Sequence, residues 1–413
     1  MASCAAPAPT AVKIPHPVIT HITKNCLQHS GQPMTSETLT SIREICTTAF
    51  SEMSKTYQLS GQRFSKEEKT FTQIIRNNLS IMDKLIQQAC QPYFPPQLIS
   101  MATMIATDEV PVSQKLDTDV TLYKTASKKP CFVGKTPPLE NVLMQETEAL
   151  FCIPPHKNIV PFAGVRTNED KTELFLNYGG DDLHRIMNPD TPETPETPET
   201  PGKCFSSQEL YTIALELVTA LVHLHTHHFL HRDIKRENVL QNNEDTIQLA
   251  DFGFAHHLPE GTTSTGALPL YGTYDFFSPE QMKQVTSEEV EGKTFYFIPY
   301  SEKTDVWALG CTLFELLCNQ SLLDALNSPI TPPKQGIDNP AFKKQVITTI
   351  TKAFTQENIQ DTINRLIEET IDSVFAQELK SLHPQQLANI IKYCLCVDPE
   401  KRLSAQDIQK KLA

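Results

Sequence analysis

Between Ser36 and Ile86 apolar residues recur at intervals of three and four, and the pattern predicts two helices in a hairpin. The first would run from about Ser36 to Tyr57. The second would start at Ser65, which forms a capping-box pattern with Glu68, and carry Phe71, Ile74, Ile75, Leu79, Met82, Leu85 and Ile86 on one face. From about Met101 to Lys135 the pattern changes to short segments rich in Val, Thr, Tyr and Phe, so Val120 to Tyr123 and Cys131 to Val133 read as strands. After Pro137 and Pro138 a short helix is expected, with Val142, Leu143, Ala149, Leu150 and Ile153 on its apolar face. Glu146 falls on that same face, and a buried carboxylate needs a partner.

Beyond Gly180 helices dominate. Ser206, Gln208 and Glu209 open one whose buried stripe is Leu210, Ile213, Ala214, Leu217, Val218, Leu221 and Leu224. The longest apolar stretch, Val306 to Cys318, contains Glu315 and is far short of the ~20 residues that a bilayer span needs, so it reads as a buried helix and no transmembrane segment is expected. Further stripes stand at Val346, Ile350 and Phe354 and at Ile363 and Leu366.

Composition divides the rest. Residues 1 to about 33 are rich in Pro, Thr and Ala without periodicity and read as a mobile arm. Residues 189 to 202, PDTPETPETPETPG, cannot form a packed core and read as an exposed, extended insert. A length of 413 residues implies two domains, or one two-lobed domain with an extension. With 36 Lys and Arg against 49 Asp and Glu the net charge is -13, which argues against nucleic acid or an anionic membrane as a bulk electrostatic partner. The 11 cysteines are scattered without zinc-ligand spacing and read as reduced thiols; Cys394-Leu395-Cys396 reads as helix packing. Pro7, Pro9, Lys13, Pro15 and His16 interrupt any signal-peptide core, and a cytoplasmic location is expected.

The chemistry concentrates in one place. The helix from Ser206 ends before His231-Arg232-Asp233-Ile234-Lys235-Arg236-Glu237-Asn238, and Asp251-Phe252-Gly253 follows. Between them Val239-Leu240, the turn-like Gln241 to Asp245, and Thr246 to Ala250 read as a hairpin, which would bring Asp233, Asn238 and Asp251 together.

These motifs resemble the eukaryotic-type protein kinase family, whose catalytic loop H-R-D-x-K-x-x-N and metal-binding D-F-G occur here complete. The resemblance covers about Val112 to Leu412. It implies an α+β fold, with a small β-rich lobe and hinge over residues 101–180 and a large helical lobe over 181–413. Residues 34–100 would be a helical extension with a docking or regulatory role. It also implies transfer of the ATP γ-phosphoryl group to serine or threonine hydroxyls of protein substrates, with ATP and Mg²⁺ as cofactors. Asp233 would orient the substrate hydroxyl and accept its proton, Lys235 would neutralise phosphoryl charge, and Asn238 and Asp251 would hold Mg²⁺.

Further matches set the register. Cys131-Phe132-Val133-Gly134-Lys135 resembles the strand ending in the ATP-binding lysine, with Gly134 replacing the usual apolar residue; Lys135 is preferred to Lys124 and would pair with Glu146. His156-Lys157-Asn158-Ile159-Val160 resembles H-P-N-I-V. Glu173 to Gly180 would be the last small-lobe strand and hinge, with Leu176 as gatekeeper and the backbone of Asn177, Tyr178 and Gly179 against adenine. Gly272 to Glu280 resembles G-T-x-x-Y-x-A-P-E, and Thr273 with Lys235 is the serine/threonine-specific combination. Asp305 would brace the catalytic loop, and Arg402 would pair with Glu280. Arg232 marks the class whose activation segment is often phosphorylated, for which Thr262, Thr263, Ser264 and Thr265 are the available acceptors.

The chain also departs from the family. Residues 283–301 and about 322–375 are longer than usual and would serve partner docking or surface elaboration. The His223, His225, His227, His228 and His231 run suggests a metal cluster until His225 and His231 are assigned to structural family positions. No glycine lies between Gly61 and Gly134, so Lys115, Asp117 and Val120 stand where the phosphate-covering loop has Gly. Two readings therefore stand: an active kinase, or a pseudokinase scaffold that binds partners without efficient transfer. The flanks would also suit an effector that an intracellular bacterium delivers to a host cytosol.

Overall fold

The computed structural model describes residues 112–117, 119–124, 130–136, 146, 149–150, 152–168, 171–189, 202–259, 261–290, 293–331, 339–378 and 381–412. The N-terminal arm, the two expected helices before residue 100 and most of the Thr-Pro-Glu insert lie outside the described residues. The rest falls within one of the two units of the chain, Met104–Ala413.

Five antiparallel strands form the first layer: β1 (Val112–Asp117), β2 (Val120–Lys124), β3 (Pro130–Lys135), β4 (Phe162–Asn168) and β5 (Lys171–Asn177), in the order β1-β2-β3-β5-β4. Leu122 lies opposite Val133 and Val133 opposite Leu176, while Lys135 lies opposite Leu174. Because side chains alternate along a strand, these apolar residues and Lys135 share one face. The other face explains Gly134. A Cβ there would lie 2.2 Å from Glu173 Oε1 and 2.8 Å from a Tyr123 ring carbon. The bare backbone leaves room for the Tyr123 hydroxyl to donate to Glu173 at 2.6 Å.

The second layer is helical. Ser206 caps the helix Ser207–Thr226 through a capping box with Glu209, and the whole expected stripe from Leu210 to Leu224 is buried. The helix Glu302–Cys318 is buried nearly all round, as a continuous apolar run demands. The helix His383–Cys394 packs on both. Its contact with Glu302–Cys318 is close: a Cβ on Gly310 would meet Cys394 Cβ at 2.7 Å. The Ile359–Val374 stripe is Ile359, Ile363, Ile367 and Ile371, a strict four-residue repeat, and Leu366 lies at its half-exposed margin.

Short strands tie the layers to the loop 231–238. β6 (Asp181–Asp182), β8 (Val239–Gln241) and β9 (Ile247–Leu249) form one small sheet, and β7 (Phe229–Leu230) pairs with β10 (His256–His257). The lengthened stretch 283–301 is a hairpin, β12 (Thr286–Val290) and β13 (Lys293–Ser301), and β13 also pairs with β11 (Ser264–Pro269).

Candidate active site

The β8–β9 hairpin closes the loop between Asn238 and Asp251 as its alternation predicts, with Val239 opposite Leu249. At its ends the chain holds unusual backbone angles, φ 71 at Arg232 and φ 62 at Asp251. Non-glycine residues avoid this left-handed region, so surrounding bonds must impose it. Asp305 does so for the loop 231–238 by accepting the His231 and Arg232 amides, each at 2.9 Å. The buried His231 faces Ala250 O through Nε2 at 3.0 Å and accepts the Asp233 amide at Nδ1. Burial pulls its imidazole below the usual histidine range, in keeping with one protonated and one bare nitrogen. His225 is tied to Asp305 as well, at 3.2 Å, so both histidines serve the loop's scaffold.

Asp233 is held from four directions. The Thr273 amide and hydroxyl donate to Oδ1 at 3.0 and 2.9 Å. Lys235 Nζ and Asn238 Nδ2 approach Oδ2 at 3.0 Å each. Lys235 also donates to the Thr273 hydroxyl at 3.0 Å, so Asp233, Lys235 and Thr273 form a closed triangle. Gly272 makes this approach feasible: its φ is 113, and a Cβ there would lie 2.9 Å from Arg232 O.

Above this group Lys135 Nζ reaches Glu146 Oε1 at 2.7 Å and Asp251 Oδ1 at 3.1 Å. Burial alone would pull the ammonium down; the two carboxylates outweigh it and push Lys135 above the usual lysine range. Burial pushes the Glu146 carboxyl up against the pull of Lys135. Asp251 is raised by burial but lowered more by Lys135 and by a backbone amide, and ends below the usual carboxylate range. Asp251 is thus an oxygen donor that stays charged, and Asn238, with Nδ2 engaged on Asp233, has its amide oxygen as a second donor of the same kind. Hard oxygen donors of this kind fit Mg²⁺.

The hinge residues lie on the adjoining edge. Leu176 is buried opposite Val133, and the Asn177 amide donates to Pro161 O at 3.0 Å. Tyr178 donates to Asp181, and the bare backbone of Gly179 lets Leu240 of β8 close beneath it. At the far edge Asp117 lies opposite Val120, so the β1–β2 hairpin turns where a glycine-rich loop would, with a register shift between Lys115 and Asp117. The structure therefore brings together Asp233, Lys235, Asn238, Asp251, Lys135 and Glu146, with Leu176 to Gly179 along the side. Arg402 grips Glu280 with a two-pronged contact at 2.6 and 3.0 Å.

One residue at this site had no sequence signal. The Tyr300 ring covers the Arg232 guanidinium at 3.9 Å, a contact that depends on how the 283–301 hairpin folds back.

Residues 113–412 match the family model described as protein kinase domain. Among curated relatives, "Cyclin-dependent kinase 4 homolog" of Caenorhabditis elegans is 31% identical over 202 residues, 48% of this chain and 43% of that protein. "Aurora kinase" of Schizosaccharomyces pombe is 28% identical over 242 residues, 58% of this chain and 56% of the relative. "Serine/threonine-protein kinase Nek6" of Oryza sativa subsp. japonica is 31% identical over 160 residues, 37% and 27% of the two chains. The chain thus spans about half or less of the length of these relatives.

Proposed function

Because this chain belongs to the eukaryotic-type serine/threonine protein kinase family, we propose that it is an active enzyme that transfers the γ-phosphoryl group of ATP to serine or threonine hydroxyls of protein substrates. The observation that carries this reading is Lys135, held at once by Glu146 at 2.7 Å and Asp251 at 3.1 Å. The pair keeps a cation where ATP phosphates would lie, and it leaves the Asp251 carboxylate charged. Asp251 and Asn238 would hold Mg²⁺, which supplies charge neutralisation at the phosphates when bound.

Asp233 orients the acceptor hydroxyl and takes its proton, and the substrate hydroxyl competes with that of Thr273 for Asp233 Oδ1. Lys235, bonded to Asp233 and Thr273, stays beside the transferring group and balances its charge. Phosphoryl transfer needs this positioning and electrostatics more than covalent help. The hinge from Leu176 to Gly179 would take the adenine. A cytosolic place of action suits these substrates, and among the described residues no helix is long and apolar enough to cross a membrane. Docking of protein partners would fall to the N-terminal segment or the 283–301 and 322–375 additions.

The test is ATP-dependent labelling of a generic protein substrate, with Asp233→Asn and Asp251→Asn as controls. Both side chains keep their shape, and Asn tolerates the left-handed backbone at 251. Each variant should fold and lose at least ~10³ in kcat, of the order seen when a transition-state donor is removed. Undiminished transfer in either would refute the mechanism.

The second reading, a pseudokinase scaffold, is favoured by one observation: Lys115, Asp117 and Val120 occupy the hairpin that should cradle phosphate. Nucleotide binding with and without metal discriminates the two. An active enzyme with a poor cradle binds ATP strongly only with Mg²⁺, whereas binding that ignores the metal points to the scaffold.

A further inference from the structure

Arg232 carries a buried positive charge beside the reacting aspartate, yet among the described residues it has no carboxylate partner. Its guanidinium donates to Pro269 O at 3.4 Å, and its Nε has no hydrogen-bond partner. What covers it is the ring of Tyr300, 3.9 Å from the guanidinium carbon. An aromatic face is a charge partner for a desolvated cation.

Tyr300 also binds the segment that follows the D-F-G motif. Its hydroxyl donates to Tyr271 O at 2.7 Å and accepts the Tyr271 amide at 3.0 Å. Its own amide donates to the Thr265 hydroxyl at 2.9 Å. Around it β13 zips onto β11, with Ala267 opposite Pro299 and Leu268 opposite Ile298, and Leu270 N donates to Tyr296 O at 2.9 Å. The strand then runs into the helix whose Asp305 fixes the His231 and Arg232 amides, so Tyr300 and Asp305 hold that loop through their side chains while the backbone of the strand holds residues 264–270.

Given the kinase reading above, on which this rests, we infer that Tyr300 is a positioning residue for transfer. It caps Arg232 and clamps Ser264–Thr273 in its working arrangement, and no phosphate on that segment is required. Thr273 closes the triangle on Asp233 and follows Tyr271 by two residues, so the clamp reaches the reacting centre through that short span.

The experiment uses the full chain treated with a phosphatase and checked by mass spectrometry to carry no phosphate between Asp251 and Glu280. The phosphate-free protein should keep its kcat within twofold, and its Leu270 and Tyr271 amides should resist hydrogen exchange. Tyr300→Leu should lower kcat at least tenfold, leave the KM for ATP within about threefold, and expose those amides. Tyr300→Phe retains the ring over Arg232 but removes both hydroxyl bonds to Tyr271, so it should lose protection at the Tyr271 amide and show a kcat between those of the wild type and the leucine variant; kcat and protection both unchanged would overturn the inference even if the leucine variant does not fold. A tenfold loss on dephosphorylation, or unprotected amides in the phosphate-free protein, would overturn the inference. So would an unchanged kcat in Tyr300→Leu. If the wild type transfers no phosphate in any state, the kinase reading fails, and hydrogen exchange still decides the clamp.

Discussion

Removing the Glu280 carboxylate should destabilise the large lobe by about 3–5 kcal/mol, the cost of leaving one member of a buried ion pair uncompensated. The structure sets the scale. Arg402 has no exposed side-chain surface, and Glu280 only 12%. Two guanidinium nitrogens contact the two carboxylate oxygens at 2.6 and 3.0 Å, while Cys396 O and Lys303 O accept further bonds at 2.8 and 2.9 Å. Glu280→Ala therefore strips the partner from two donors and leaves the charge held by carbonyls and by Trp307, whose ring lies 4.8 Å from it. Glu280→Gln keeps the shape and one acceptor and should cost less, about 1–3 kcal/mol. Urea unfolding at constant m-value reads both numbers. The double variant Glu280→Met with Arg402→Met is the control, because a matched apolar pair leaves no orphaned charge. It should be more stable than the sum of its singles by at least ~1 kcal/mol. A single-variant cost below about 1 kcal/mol, or strict additivity in the double, would refute the claim that this contact ties the segment after Thr273 to the C-terminal region.

Three further outcomes follow from particular positions. Gly272→Ala forces a side chain into a left-handed backbone and against Arg232 O, so kcat should fall ten- to a hundredfold, equivalent to about 1–3 kcal/mol of strain, with the KM for ATP little changed; steady-state kinetics decide it. Burial pushes Glu315 up to about 7, against the pull of Arg236. The folded protein then keeps a proton that the unfolded chain has released, so stability should decline as pH rises from about 5 to 7.5, by roughly 3 kcal/mol, and level off above. Melting curves across that range should lose most of this slope in Glu315→Gln, and an unchanged slope would refute the assignment. Replacing Lys115, Asp117 and Val120 together by Gly should lower the KM for ATP several-fold with a smaller effect on kcat, because glycine lets backbone amides approach phosphate; a rise in KM would show that the hairpin binds nucleotide in another register.

The residues proposed to react were legible because their motifs are local. His231 to Asn238 and Asp251 to Gly253 are short motifs, and the alternating hairpin between them leaves only one way to close the loop, so Asp233, Asn238 and Asp251 meet whatever surrounds them. The helix from Ser207 was equally legible, since a capping box and a 3.6-residue stripe are written in neighbouring positions. Lys135 could be preferred to Lys124 because Cys131 to Lys135 resembles the strand that ends in the family's ATP-binding lysine, but the sequence could not show that it reaches Asp251 as well as Glu146. That contact joins two layers separated by 116 positions of chain. Gly134 looked like a departure from pattern, and only the cross-strand meeting of Tyr123 with Glu173 explains it.

Tyr300 marks the boundary most clearly. A tyrosine in a lengthened stretch carries no periodic or motif signal, and its partner Arg232 lies in another part of the chain. The hairpin 286–301 had to pair with β11 before ring and guanidinium could meet, and that pairing depends on backbone hydrogen bonds, which residue identity specifies only weakly. What the sequence determined by itself was the family, the motifs that carry the proposed site and the helices with their own caps and stripes, because those rest on neighbours in the chain. What only the tertiary structure decided was which charges are buried together and what covers them, because burial and Coulomb energy depend on distance in space.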